Sequence, residues 1–218
     1  MKRPEVFNKV VNAHIDPEND FSPRGSLPNV GGFETIDPMN RDAVWTRQNN
    51  GLVVVTADRH RSDTRKHFDK FGAHCVEGTW GAEFVDELEI AAGDIILIKG
   101  TNRDEDSFSG FEATNDDGLT LETLLTPVAE ERVAAIFDGW DTDYCIKESV
   151  FGALALSERL TRESGYQALG VFVVRDAIAP ADITPGDGQR AIEEMMKAGA
   201  RFITSTELAS GQVIEIRG

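Results

Sequence analysis

Short apolar runs rich in Val and Ile alternate along this chain with longer segments of helical period. Residues 10–15, 52–56, 95–98, 133–137, 169–174 and 201–204 are the six clearest runs, and 213–216 adds a candidate edge strand. They lack the polar alternation of a half-exposed hairpin, which suits strands covered by helices on both faces. Between them, 38–48 reads as a helix stopped at Asn49-Asn50-Gly51, and 120–125 as a short one ended by Pro127. The strongest helix is 145–160, where Ile146, Val150, Ala153, Leu154 and Leu160 recur at helical spacing. Residues 187–198 follow, with Gly199 at the expected C-terminal cap. The alternation predicts an α/β fold built on a parallel sheet flanked by helices. No repeat or break in composition marks a second domain, so 1–218 is expected to form one. Two long irregular stretches, 20–32 and 102–118, each follow a predicted strand, and loops of that length are usually functional or mobile.

Charge narrows the partners. Lys and Arg number 22 against 38 Asp and Glu, a formal net charge of −16. A field of that sign repels phosphate backbones and anionic headgroups, so neither nucleic acid nor a membrane is expected as a partner. No apolar run approaches the ~20 residues of a membrane span, and no secretory stretch follows the first residues, so a soluble cytoplasmic protein is expected. Two cysteines, Cys75 and Cys145, make no disulfide framework. A homo-oligomer is left open.

In an open parallel sheet, ligands bind beyond the carboxyl ends of the strands. The residues there are reactive types: Asp16, Asp58 and Lys99 follow the first three runs, and the fourth leads through Gly139-Trp140-Asp141-Thr142-Asp143-Tyr144 into Cys145. Taken singly, each has an ordinary reading. An Asp at a strand end most often caps a helix or forms a turn, and a lone Cys at a helix start is most often a small buried apolar side chain. Together they put a thiol, a base and an ammonium on one rim. A thiol with a pKa of ~8.5 is a poor nucleophile at neutral pH, and a helix N-terminus with a nearby Lys is expected to lower it. Asp16 would be its partner base.

A second cluster joins Asp58, His60 and His74. Asp58 and His60 leave the same face of an extended segment, and His74 would close a site with open positions suited to Zn²⁺, Fe²⁺ or Mn²⁺. His67 competes as a ligand, Cys75 is a further alternative, and His14 beside Asp16 is structural or supports the site from behind. Histidines in polar loops are also commonly just solvated. A Gly-rich phosphate loop, a Gly-x-Ser-x-Gly elbow, a His-Glu-x-x-His helix and the paired cysteines of zinc deaminases are absent.

Several motifs, in this order, resemble the nicotinamidases of the isochorismatase-like cysteine hydrolase family. They are Ile15-Asp16-Pro17-Glu18-Asn19-Asp20-Phe21, Asp58-Arg59-His60, His74-Cys75-Val76-Glu77-Gly78-Thr79-Trp80-Gly81-Ala82-Glu83-Phe84, Lys99, Phe108-Ser109-Gly110-Phe111 and Thr142-Asp143-Tyr144-Cys145. The likeness runs from about residue 10 to 208. It implies a three-layer, Rossmann-like domain with a six-stranded parallel sheet, a triad of Asp16, Lys99 and Cys145, and a divalent metal on Asp58, His60 and His74, zinc foremost with iron or manganese as alternatives. It also implies a cis peptide before Asp141, an oxyanion hole from the backbone N–H groups of Asp141 and Cys145, and substrate contacts from Phe21, Phe108 and Trp140.

The chain departs from the family pattern in several places. Arg59 and Arg61 stand where the family usually has Trp and Pro, Phe108 where Tyr is frequent, Asp141 where Ala is usual, and Pro17 and Glu18 replace commoner residues. These bear on the substrate more than on the reaction. The resemblance therefore implies hydrolysis of nicotinamide to nicotinate and ammonia through a thioester on Cys145. Its rivals are a sister hydrolase acting on another small amide, carbamoyl or ureido compound, and a non-catalytic binding protein, which would typically have lost a triad member.

Overall fold

Val10 and Val11 point to opposite faces of one strand, yet both are fully buried, so that strand must be covered from two sides. The computed structural model describes residues 3–217 and shows how. The chain opens on β1 (Glu5–Phe7) and β2 (Lys9–Ile15), passes through α1 (Gly32–Gln48) to β3 (Leu52–Asp58), and continues through α2 (Lys66–Phe71) to β4 (Ile95–Lys99). The second half runs α3 (Leu121–Leu125), β5 (Val133–Trp140), α4 (Lys147–Ser164), β6 (Leu169–Ala179), α5 (Asp187–Ala198), β7 (Arg201–Ile203), α6 (Ser205–Ala209) and β8 (Ile214–Ile216). Six strands form an all-parallel sheet in the order β4-β3-β2-β5-β6-β7, the expected α/β architecture.

Each face of the sheet has its own core. On one, Ile36, Met39 and Ala43 of α1 and Leu208 of α6 cover Val10, Val55, Ile136 and Phe172. On the other, Leu125 of α3, Val150 and Ala153 of α4 and Met195 of α5 cover Val11, Val54, Ala135 and Val173. Two buried faces explain why the strands read as continuous apolar runs.

The expected elements shift in informative ways. The helix expected at 38–48 starts at Gly32, with Pro38 inside it, although proline normally marks a first turn. The helix expected from Cys145 starts at Lys147, because the five residues Thr142–Ile146 form a wider π-type turn. The candidate edge strand near 213–216 pairs with β1, away from the main sheet. The short helices α2 and α6 and the strand β1 were not legible as separate elements.

The chain lays down β2, β3 and β4 in one direction, then returns to place β5 on the other side of β2. The order therefore reverses between β2 and β5, where such sheets open a crevice. Gly139 permits the close approach there: it has a φ of 108°, and a side chain would run into the backbone of Ile15. Among the described residues no helix is long and apolar enough to cross a membrane.

Candidate active site

Asp16 follows β2, Lys99 ends β4, and Cys145 lies in the turn that leaves β5, so three strand ends deliver three groups to the crevice. The Lys99 ammonium joins them. Its Nζ lies 3.0 Å from Asp16 Oδ2, 3.0 Å from Asp58 Oδ1 and 3.8 Å from Cys145 Sγ. Thr56 completes the setting by donating its hydroxyl to Asp16 Oδ1 at 2.6 Å. All of these side chains are buried.

Burial works against the Lys99 charge, but Asp16 and Asp58 outweigh it and raise the ammonium well above the ordinary lysine value. Burial also raises Asp16 against the pull of Lys99, making it a stronger base than a solvated carboxylate. At Asp58 burial is overcome by Lys99 and His60, which hold that carboxyl well below the usual range. The thiol differs from expectation: burial pushes Cys145 well up, with Lys99 only partly opposing. Enclosure outweighs the ammonium, so the resting group is a thiol.

The histidines gather beside these groups. His60, His67 and His74 are buried, and each holds its Nδ1 on an acceptor: Gly100 O at 3.1 Å, Asp106 Oδ1 at 3.0 Å and Gly72 O at 2.9 Å. That leaves each Nε2 free to face the others. His67 Nε2 and His74 Nε2 stand 3.3 Å apart, and Asp58 Oδ2 is 3.3 Å from His60 Nε2, which has no hydrogen-bond partner. Burial lowers His67 and lowers His74 to about 4, so both rings are neutral at neutral pH. Converging lone pairs repel unless a cation sits among them, and outward Nδ1–H anchors are how ligating imidazoles are oriented. The residues fit a divalent ion. Of the expected residues, His60 and His74 converge with His67, which joins them through α2, and Asp58 stands beside this cluster at His60.

A narrow pocket opens onto Cys145, and the space between its walls, open solvent included, is about 330 Å³. Phe21, Leu27, Phe71, Phe108, Tyr144 and Ile183 make it mostly apolar, with Asp58, His67, His74 and Asp141 as its polar points. The Trp140–Asp141 peptide is cis. Asp141 is buried, its Oδ1 has no partner, and burial followed by Asp143 pushes its carboxyl well up.

Of the expected substrate contacts, Phe21 and Phe108 line the pocket and Trp140 does not. The Trp140 ring packs in the core under α1, and its indole N–H donates to Thr35 Oγ1 at 2.9 Å. Cys75 is fully buried against Asp20 and Gly81, and burial raises its thiol well above the ordinary value. His14 pairs with Asp138 within the sheet. Arg59 turns to Glu18 and to the Phe84 ring rather than to the pocket. Thr56 was missed by sequence reasoning, although the strand alternation puts it on the same face as Asp58.

Comparison with known proteins gives the arrangement a context. The isochorismatase-domain family profile matches residues 14–207. A nicotinamidase of Escherichia coli is 29% identical over 210 residues, covering 87% of this chain and 92% of its own. A nicotinamidase/pyrazinamidase of Mycobacterium tuberculosis is 28% identical over 198 residues, covering 88% and 97%. Among solved structures, a zinc complex of the pyrazinamidase of Pyrococcus horikoshii superposes with a TM-score of 0.73 at 28% identity, covering 89% of this chain and 98% of that one.

Proposed function

The chain belongs to the isochorismatase family of hydrolases, and from that premise we propose that it is a metal-dependent amidohydrolase converting nicotinamide to nicotinate and ammonia through a thioester on Cys145. The observation that carries this reading is Lys99, whose ammonium touches both Asp16 and Cys145 beside three converging imidazoles.

The Asp16 carboxylate takes the Cys145 thiol proton as Sγ attacks the carboxamide carbon. The oxygen of the tetrahedral intermediate is met by the backbone N–H groups of Asp141 and Cys145. Asp16 returns the proton to the amide nitrogen, the C–N bond breaks, and ammonia leaves behind a thioester. Asp16 then takes a proton from water, whose oxygen attacks the thioester carbon; the C–S bond breaks, the acid is released, and Asp16 returns the proton to the sulfur. Lys99 keeps Asp16 in place and balances the negative charge that passes between the carboxylate and the sulfur. Phe21 and Phe108 supply apolar walls for a planar ring. Asp58, His60, His67 and His74 would hold a divalent ion, which when bound supplies Lewis acidity and a coordination position for a ring nitrogen. Zinc suits three imidazoles and a carboxylate, with iron and manganese as alternatives.

The test is ammonia release from nicotinamide, pyrazinamide and benzamide by protein stripped of metal and reloaded with zinc. Nicotinamide and pyrazinamide are turned over by the loaded protein and benzamide is not, since a site built around a polar contact rejects an analogue lacking it. Equal rates on all three, unaffected by chelation, would remove the assignment. One observation favours a second substrate class: Asp141 adds a buried carboxyl to the pocket wall, a partner for the extra N–H of a ureido or carbamoyl compound. Faster ammonia release from such a compound than from nicotinamide would establish the sister activity instead.

A further inference from the structure

We propose that Glu18 and Arg59 form a clamp that positions Asp58, and that the affinity of the histidine site for a divalent ion depends on this pair although neither side chain belongs to the ligand set. The inference rests on the metal reading above. Glu18 is fully buried, and its Oε2 accepts the backbone N–H of Asp58 at 2.6 Å. Its other oxygen, Oε1, meets Arg59 Nη1. The same Nη1 donates to the backbone carbonyl of Asp58 at 2.9 Å. Both peptide groups of Asp58 are thus gripped by one closed ring of three contacts.

The ring is anchored from outside. The Glu18 backbone N–H donates to Asp16 O at 2.9 Å, the Arg59 backbone N–H donates to Lys99 O at 2.9 Å, and the guanidinium lies 5.7 Å from the Phe84 ring. Burial and then Asp16 push the Glu18 carboxyl up. Two donors, the Asp58 backbone N–H and Arg59 Nη1, face its two oxygens. The clamp fixes the main chain on both sides of the Asp58 side chain, whose carboxylate lies between Lys99 and His60. Partners outside the ligand set of this kind commonly govern metal affinity ~10–100-fold.

The experiment measures zinc affinity by competition with a chromophoric chelator, and thermal melting of the metal-free protein, for the parent, Glu18→Gln, Arg59→Met and the double variant. Each single variant is expected to bind zinc at least ~10-fold more weakly while melting cooperatively. The double variant is expected to lose no more than the worse single one, because the pair acts as a unit. If Glu18→Gln fails to fold, Arg59→Met decides the matter, since Arg59 reaches the surface. Variants that melt at lower temperature but bind zinc as tightly as the parent would overturn the clamp and leave the metal reading standing. A parent that binds no divalent ion would overturn the metal reading and the clamp with it.

Discussion

In the proposed mechanism Asp16, Lys99 and Cys145 act as a set, because burial leaves the thiol in need of a base. Burial raises both the thiol and the Asp16 carboxyl, so the thiol rests protonated and the carboxylate is a stronger base than a solvated one. Replacing Asp16 by Asn keeps the volume and removes the base, so kcat for amide hydrolysis is expected to fall at least ~10²-fold. A loss of less than ~10-fold would exclude Asp16 from proton transfer. Lys99→Met leaves two buried carboxylates without their cation, so it should lower thermal stability and activity together, and full stability with full activity would reduce Lys99 to filler. Cys75→Ala is expected to retain activity, since that thiol lies in the core and outside the pocket. An alkylating agent should label Cys145, which lines the pocket, well before Cys75, and peptide mapping reads the order.

Among the elements, α1 carries a prediction of its own. Its Asp42 is buried against β5, and burial, followed by Asp138, pushes that carboxyl from 3.8 to about 8. Between those values the folded chain holds a proton that the unfolded chain has released, so stability falls as pH rises through the window and levels off above it. Asp42→Asn should flatten this fall and melt higher than the parent at pH 8.5, by ~1 kcal/mol or more, the worth of one pKa unit. Parallel stability curves for parent and variant would contradict it. The main strands were legible in sequence because each is buried on two faces and reads as an uninterrupted apolar run. Residues 145–160 were legible as a helix for the complementary reason, a one-sided apolar stripe. The start of α1 was not, since Gly32 to Asp37 carries no such stripe and Pro38 imitates a first turn. Nor was the π-type turn at Thr142–Ile146, which no periodicity announces.

At the scale of the whole molecule, the crevice follows from strand order, and strand order gathers side chains from residues 16 to 145. The strand-end rule found Asp16, Asp58, Lys99 and Cys145 in the sequence because it needs only the ends of the runs. His67 could be weighed but not placed, because its position depends on the short helix α2. Trp140 was expected at the substrate and instead packs under α1: one residue's difference along β5 turns a side chain to the opposite face. The Glu18–Arg59 contact joins residues 41 positions apart, which no local pattern reveals. The central claim is covalent catalysis by the thiol that this topology delivers to the pocket. It is tested most directly by ammonia release from nicotinamide with zinc-loaded parent and Cys145→Ala proteins at equal concentration. The account predicts steady turnover by the parent and none above background by the variant, with both proteins equally folded. Turnover by Cys145→Ala at the parent rate would contradict it.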